Sequence, residues 1–135
     1  MNGLDATLAS WHPRALSLLR IMAGLLLLQF GLAKHFSFPM TYPSKIDPFS
    51  QIWFAGAIEL VGGVLLVLGL FTRWTAFVCA GLMAFAYFIG HAPQSFYPVQ
   101  NGGTLAIIFC FVFFYLFFAG GGPWSVDAAM RSNKA

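Results

Sequence analysis

The sequence predicts an all-α integral membrane protein: a four-helix bundle of antiparallel, up-down-up-down spans with both termini in the cytoplasm. Three observations lead there. The 135 residues are 59% hydrophobic and 8% charged, whereas soluble domains run near 45–50% apolar and about 25% charged, so too little polar surface remains to coat a water-soluble globule. Four apolar stretches, Ala15–Ala33, Ile52–Phe71, Trp74–Gly90 and Thr104–Gly120, approach the roughly 20 residues that a helix needs to cross a hydrocarbon core. The basic residues then divide unequally between the two sides. Arg14, Arg20, Arg73, Arg131 and Lys134 fall on one side, with Lys34 and Lys45 on the other, and the positive-inside bias puts both chain ends inside.

The same composition argues against a soluble enzyme and against a disordered chain, which this much apolar surface would collapse. A formal charge of +3 from 7 basic and 4 acidic residues is scattered singly. It forms no basic stripe, so nucleic acid is not an expected partner, whereas the lipid bilayer is.

Taken in order, residues 1–14 read as a polar lead, with Pro13-Arg14 entering a first helix at about 15–35, because proline is tolerated near a helix start. This apolar run is longer than the 7–15 residues of a signal peptide and is entered by Arg20, so a retained span is expected. The next segment carries Pro39, Pro43 and Pro48 among serines and reads as a loop outside the membrane. Helix two, about 52–71, and helix three, about 74–91, are joined by Thr72-Arg73, a turn short enough to make them antiparallel neighbours. A loop with Pro93, Pro98 and Gly102-Gly103 leads into helix four, about 102–120. The tail after Gly120-Gly121-Gly122-Pro123 is polar, and Ser125 or Asp127 is placed to start a short amphipathic turn. Trp11, Trp53, Trp74 and Trp124 fall near the expected helix ends, where indoles prefer to sit. The whole chain reads as one transmembrane domain.

Helices packing inside a bilayer need small residues and polar contacts, so stripes of these mark the inner faces. The stripes are Arg20, Gly24, Leu27, Gly31 and Lys34 on helix one; Glu59, Gly63, Leu66 and Leu70 on helix two; Ala80, Ala84, Tyr87 and His91 on helix three; and Asn101, Thr104, Ile108, Phe111 and Tyr115 on helix four. Their outer halves share a depth. Lys34, His35, Glu59, His91, Asn101 and Thr104 are therefore expected around one polar pocket that opens outward.

Glu59 is the most informative of them, because an intramembrane carboxylate costs at least a few kcal/mol unless it is paired, hydrated or protonated. Glu59 and His91 are the candidate catalytic residues, Glu59 accepting or delivering a proton and His91 donating to a ligand oxygen; the competing reading of Glu59 is a structural pair with Lys34 or a hydrogen bond to a neighbouring helix. Lys34, His35, Asn101, Thr104 and Arg20 are the candidate ligand-binding residues, set against snorkelling or capping roles. Arg20, on the cytoplasmic side, is also read as snorkelling to phosphate or pairing with Asp127. No spacing links the histidines as metal ligands, so no metal is expected. Cys79 and Cys110 form no C-x-x-C, lie off the stripes and read as small buried hydrophobes. No intrinsic cofactor motif is present. The aromatic run Phe109–Phe118 reads either as a lipid-facing surface or as a wall for a flat ligand such as a quinone.

These residues together resemble the DoxX family of small bacterial four-helix membrane proteins over nearly the whole chain. The matching pieces are Arg20, Gly31 with Lys34, Glu59 with Gly62-Gly63, and Leu68-Gly69-Leu70 before Thr72-Arg73. His91, Asn101-Gly102-Gly103 and the closing Gly122-Pro123-Trp124-Ser125-Val126-Asp127 complete them. Related sequences commonly carry glutamate after the Asn-Gly-Gly, where this one has Thr104. The resemblance implies a multi-pass protein of the bacterial inner membrane. It also implies an oxidoreductase subunit without an electron carrier of its own, by way of the DoxD subunit of a thiosulfate:quinone oxidoreductase.

Two functions fit. In the first the chain is an accessory subunit of a membrane redox or thiol-stress complex, holding a quinone or small ligand, with electrons supplied by a redox partner protein. In the second it is a non-enzymatic transporter, ligand-binding or assembly protein. A third arrangement makes it one protomer of a homo-oligomer whose site lies between chains.

Overall fold

A computed structural model describes residues 2–134. All regular structure among these is helical. Helix α1 spans Gly3–Phe36, α2 Gln51–Leu68 and α3 Thr72–Ala86. A wide turn over Tyr87–His91 and a tight one over Ala92–Gln94 extend α3. The single turn α4 (Pro98–Asn101) leads into α5 (Thr104–Ala119), and α6 (Val126–Lys134) ends the described chain. Three helical runs, Gly3–Phe36, Gln51–Leu68 and Thr72–Gln94, are long and apolar enough to cross a membrane; Thr104–Ala119 is a shorter apolar helix.

The first helix begins twelve residues before the expected start. Asn2 caps it, accepting the Asp5 N–H at 2.8 Å while the Asp5 carboxylate faces the Asn2 N–H, and this reciprocal cap nucleates the helix ahead of Pro13. Pro13 therefore sits inside α1, where it removes one intrahelical donor without stopping the helix. The lead is thus helical, and Trp11 lies within it.

Helix α1 packs on α2, and α3 on α5. The first contact depends on glycine. A Cβ added at Gly31 would stand 2.7 Å from the Leu60 amide nitrogen, one at Gly63 2.8 Å from Leu28 Cβ, and one at Gly24 2.8 Å from the Val67 nitrogen. The two backbones are therefore as close as bare glycine allows, which is how helices gain contact where water provides no driving force. Gly63→Leu is expected to force them apart and to cost about 1–3 kcal/mol; a lowered thermal midpoint in detergent is the check.

The second contact uses a face the stripe reading missed. Helix α5 buries Ala106, Phe109, Phe113 and Leu116, against Ala76, Cys79, Ala80 and Met83 of α3. Ile108, Phe111 and Tyr115, expected inside, are exposed, as is Thr104. Polarity is a poor guide on a helix apolar all round, where shape decides the buried face. Cys79 also belongs to this core at 1% exposure, a small buried hydrophobe as expected, although it lies off the stripe assigned to this helix.

The α2–α3 turn is Gly69–Phe71, not Thr72-Arg73. Gly69 ends α2 in the left-handed conformation at φ 72°, where glycine carries no steric penalty. Phe71 precedes α3 and has no side chain able to cap it. The missing acceptor comes from α6: the Asp127 carboxylate takes the Phe71 and Thr72 N–H groups, each at 2.9 Å, and the Asp127 N–H donates to Gly69 O at 2.9 Å.

Burial works to raise the Asp127 carboxyl, but the hydrogen bonds from Thr72 and Phe71 and the charge of Arg131 outweigh it and hold the group below the ordinary carboxylate value. A depressed folded pKa means that this contribution is complete above the unfolded value near 4 and fades as pH falls through the lower folded one. Protection of the α6 amides, relative to their intrinsic exchange at each pH, is therefore expected to fall below about pH 4. In Asp127→Asn it should be low at every pH.

Candidate functional site

Near the C-terminal end of α1, Lys34 Nζ donates to both carboxylate oxygens of Glu59, at 2.7 and 2.8 Å. The side chains are 12% and 5% exposed. Glu59 reaches this position because it follows Gly56 on the α2 face that meets α1, and Gly31 lets the helices close one turn before Lys34. The ammonium also lies 5.8 Å from the Phe30 ring centre and 6.0 Å from that of Tyr42, within reach of cation–π attraction.

Two cavities meet at this pair. One, of about 580 Å³, lies between α2 and α3, with Ile52, Phe54, Ile58, Phe85 and Ile89 among its walls. The other, of about 320 Å³, lies toward α5, with Phe30, Leu105 and Phe109. Lys34, Tyr42, Glu59 and His91 line both. His91 Nδ1 is 3.0 Å from the Asn101 carbonyl. A carbonyl can only accept, so Nδ1 carries the proton and Nε2 of the neutral ring is an acceptor, becoming a donor on protonation.

The structure thus brings Lys34, Glu59 and His91 together and leaves four other candidates elsewhere. His35 turns to the opposite side, donating from Nε2 to Trp53 O at 2.9 Å. Asn101 is buried with its amide occupied: Nδ2 donates to Ser95 O at 3.0 Å and Tyr87 Oη at 3.3 Å, and Oδ1 accepts the Gly103 N–H at 2.8 Å. It positions His91 through its backbone, not a ligand through its side chain. Thr104 is exposed on the first turn of α5, carried away from the cavity by the face that Ala106 and Phe109 bury.

Arg20 sits at the other end of the helices, fully buried. Its guanidinium donates to the carbonyls of Gly121 and Trp124, the latter at 2.7 Å. Ser17 Oγ joins the same clasp, donating to Gly121 O and accepting the Trp124 N–H, both at 3.1 Å. The partner expected for Arg20 was the Asp127 side chain; its hydrogen bonds go instead to backbone, because the glycine-rich turn offers bare carbonyls where the helices converge. Tyr42 was missed. It lies in the proline-rich loop, where no periodicity assigns it a face.

Among the described residues no group of three His, Cys, Asp or Glu side chains converges as a metal site would need. The geometry defines an α-helical membrane protein with a buried ion pair between two largely apolar cavities. The DoxX family profile matches residues 15–92, and the chain is 38% identical to an uncharacterized protein of Haemophilus influenzae over 134 residues, 94% of this chain and 96% of that one. The chain belongs to the DoxX family. No solved structure matches it.

Proposed function

We propose that the chain is a multi-pass protein of a bacterial inner membrane, crossing it four times as an antiparallel bundle with both termini in the cytoplasm. It is an accessory subunit of a membrane redox or thiol-stress complex and binds a quinone, or a similarly small carbonyl compound, in the outward cavity around Lys34, Glu59 and His91. Helix α5, with 16 residues, supplies about 24 Å of span at 1.5 Å per residue. The turns of residues 98–103 add the rest. The unequal distribution of basic residues supports the orientation.

One observation carries the ligand reading: the salt bridge among the described residues stands where two cavities meet, and a purely structural pair would sit within a closed helix contact. The volume of the larger cavity, about 580 Å³, lies in the usual range of small-molecule sites, as does its pattern of apolar walls with a few convergent polar groups. A quinone carbonyl only accepts hydrogen bonds, and Lys34, the Tyr42 hydroxyl and protonated His91 are donors. Glu59 and His91 can exchange protons with a bound group, while electrons come from a partner protein.

The test is mass spectrometry of small molecules retained after gentle extraction. A quinone in the native protein, lost in Glu59→Gln at a temperature where that variant is still folded, supports the reading. The alternative, a non-enzymatic transporter or assembly protein, draws on the completeness of the Lys34–Glu59 pair. It predicts no retained quinone and matching stability losses in Glu59→Gln and Lys34→Met.

A further inference from the structure

The space beside the ion pair does not stop at the pair. The cavity between α2 and α3 shares Phe54 and Ile58 with a second groove of about 460 Å³ that runs on between the same helices toward Trp74. Because α2 and α3 are joined by a short turn, they are antiparallel, and the groove follows α2 from Phe54 to Leu65, roughly 16 Å at 1.5 Å per residue. Gly62 forms its floor: a Cβ there would stand 2.8 Å from Cys79 Sγ. The walls grade from charged to apolar. Lys34, Glu59 and His91 lie at one end, whereas the groove beyond carries Thr75 and Cys79 as its only polar groups besides the Trp74 indole.

We propose that this groove holds the apolar tail of a single-headed membrane amphiphile whose carbonyl head lies at Lys34, Glu59 and His91. The inference rests on the ligand reading above and deepens it: the ligand is a tailed, membrane-dissolved quinone, not a water-soluble one. Continuity of the two spaces and the polarity gradient along them select that occupant. A compound without a tail uses only the polar end.

The test uses two probes with the same head, a decyl-substituted benzoquinone and its methyl counterpart, bound to the full chain in nanodiscs. Ala57→Phe fills the groove away from the head site. Bilayer partitioning of each probe is the same for native and variant protein, so the comparison isolates the groove. The variant is expected to bind the decyl probe about tenfold more weakly and the methyl probe within about twofold of native, since contact in lipid comes from packing.

Unchanged decyl binding in the variant overturns the groove and leaves the head site standing. If the native protein binds neither probe, both readings fall. Equal loss of both probes overturns the separation of head and tail, and co-purified phospholipid that the decyl probe cannot displace overturns the choice of occupant. Should Ala57→Phe fail to fold, Val78→Phe on the half-exposed rim carries the same comparison.

Discussion

Lys34→Met is expected to destabilise the protein by about 3–5 kcal/mol, the usual cost of removing one partner of a buried ion pair. Both Glu59 oxygens bond to the lysine, and at 5% exposure the carboxylate depends on that partner. Pairing the change with Glu59→Leu should recover most of the loss, because the double variant buries no charge and well-packed apolar replacements of ion pairs are often neutral. Glu59→Gln alone should cost less than Lys34→Met, since Lys34 lies in the last turn of α1 and its long stem can carry the ammonium outward. Thermal unfolding of the native protein, Lys34→Met, Glu59→Leu and the double variant in one detergent measures the coupling. Additive losses across the cycle would show that the pair does not act as a unit.

Arg20→Met should be nearly as damaging and should act at the opposite end. It removes donors from the Gly121 and Trp124 carbonyls within the clasp that also includes Ser17. A buried acceptor left unsatisfied costs about 1–3 kcal/mol; the Trp124 carbonyl loses its guanidinium donor while Gly121 O keeps Ser17, so the two lost bonds together are expected to cost about 2–4 kcal/mol. The distinguishing sign is local. With the clasp open, α6 should detach, and limited proteolysis should cut within residues 120–134 before the helices unfold. A variant as resistant as the native chain would show that Asp127, through the Phe71 and Thr72 amides, holds α6 alone.

The two contacts explain why so few polar residues suffice. A membrane helix pair gains nothing from excluding water, so the closeness of α1 and α2 comes from Gly24, Gly31 and Gly63, and their relative depth is set by one ion pair and one arginine clasp. Stability and ligand access then compete at the same residues. The pair that ties α1 to α2 also forms the polar wall of both cavities.

Much of this could be read along the chain. Composition points to a membrane, the apolar runs mark where apolar helices lie, and small residues at three- and four-residue spacing place Arg20, Gly24, Leu27, Gly31, Glu59 and Gly63 on faces that are buried. These are local quantities, and the helix period converts them directly into a face. Helix starts set by distant groups were not legible in the same way. The N-terminus of α3 is capped by Asp127, 55 residues away, and spacing along a sequence carries no record of such a pairing.

The α5 face, the inward turn of Cys79 and the outward turn of Thr104 depended on how whole surfaces fit, because a uniformly apolar helix has no preferred side until its neighbour supplies one. Asn101 and Arg20 have the residue types of a binding site, yet the Asn101 amide and the two terminal nitrogens of Arg20 are engaged by groups that folding brings to them. Residue chemistry could therefore nominate the polar groups. Which of them stay free to meet a ligand follows from the packing, because each hydrogen bond made within the fold removes a donor or acceptor from the site.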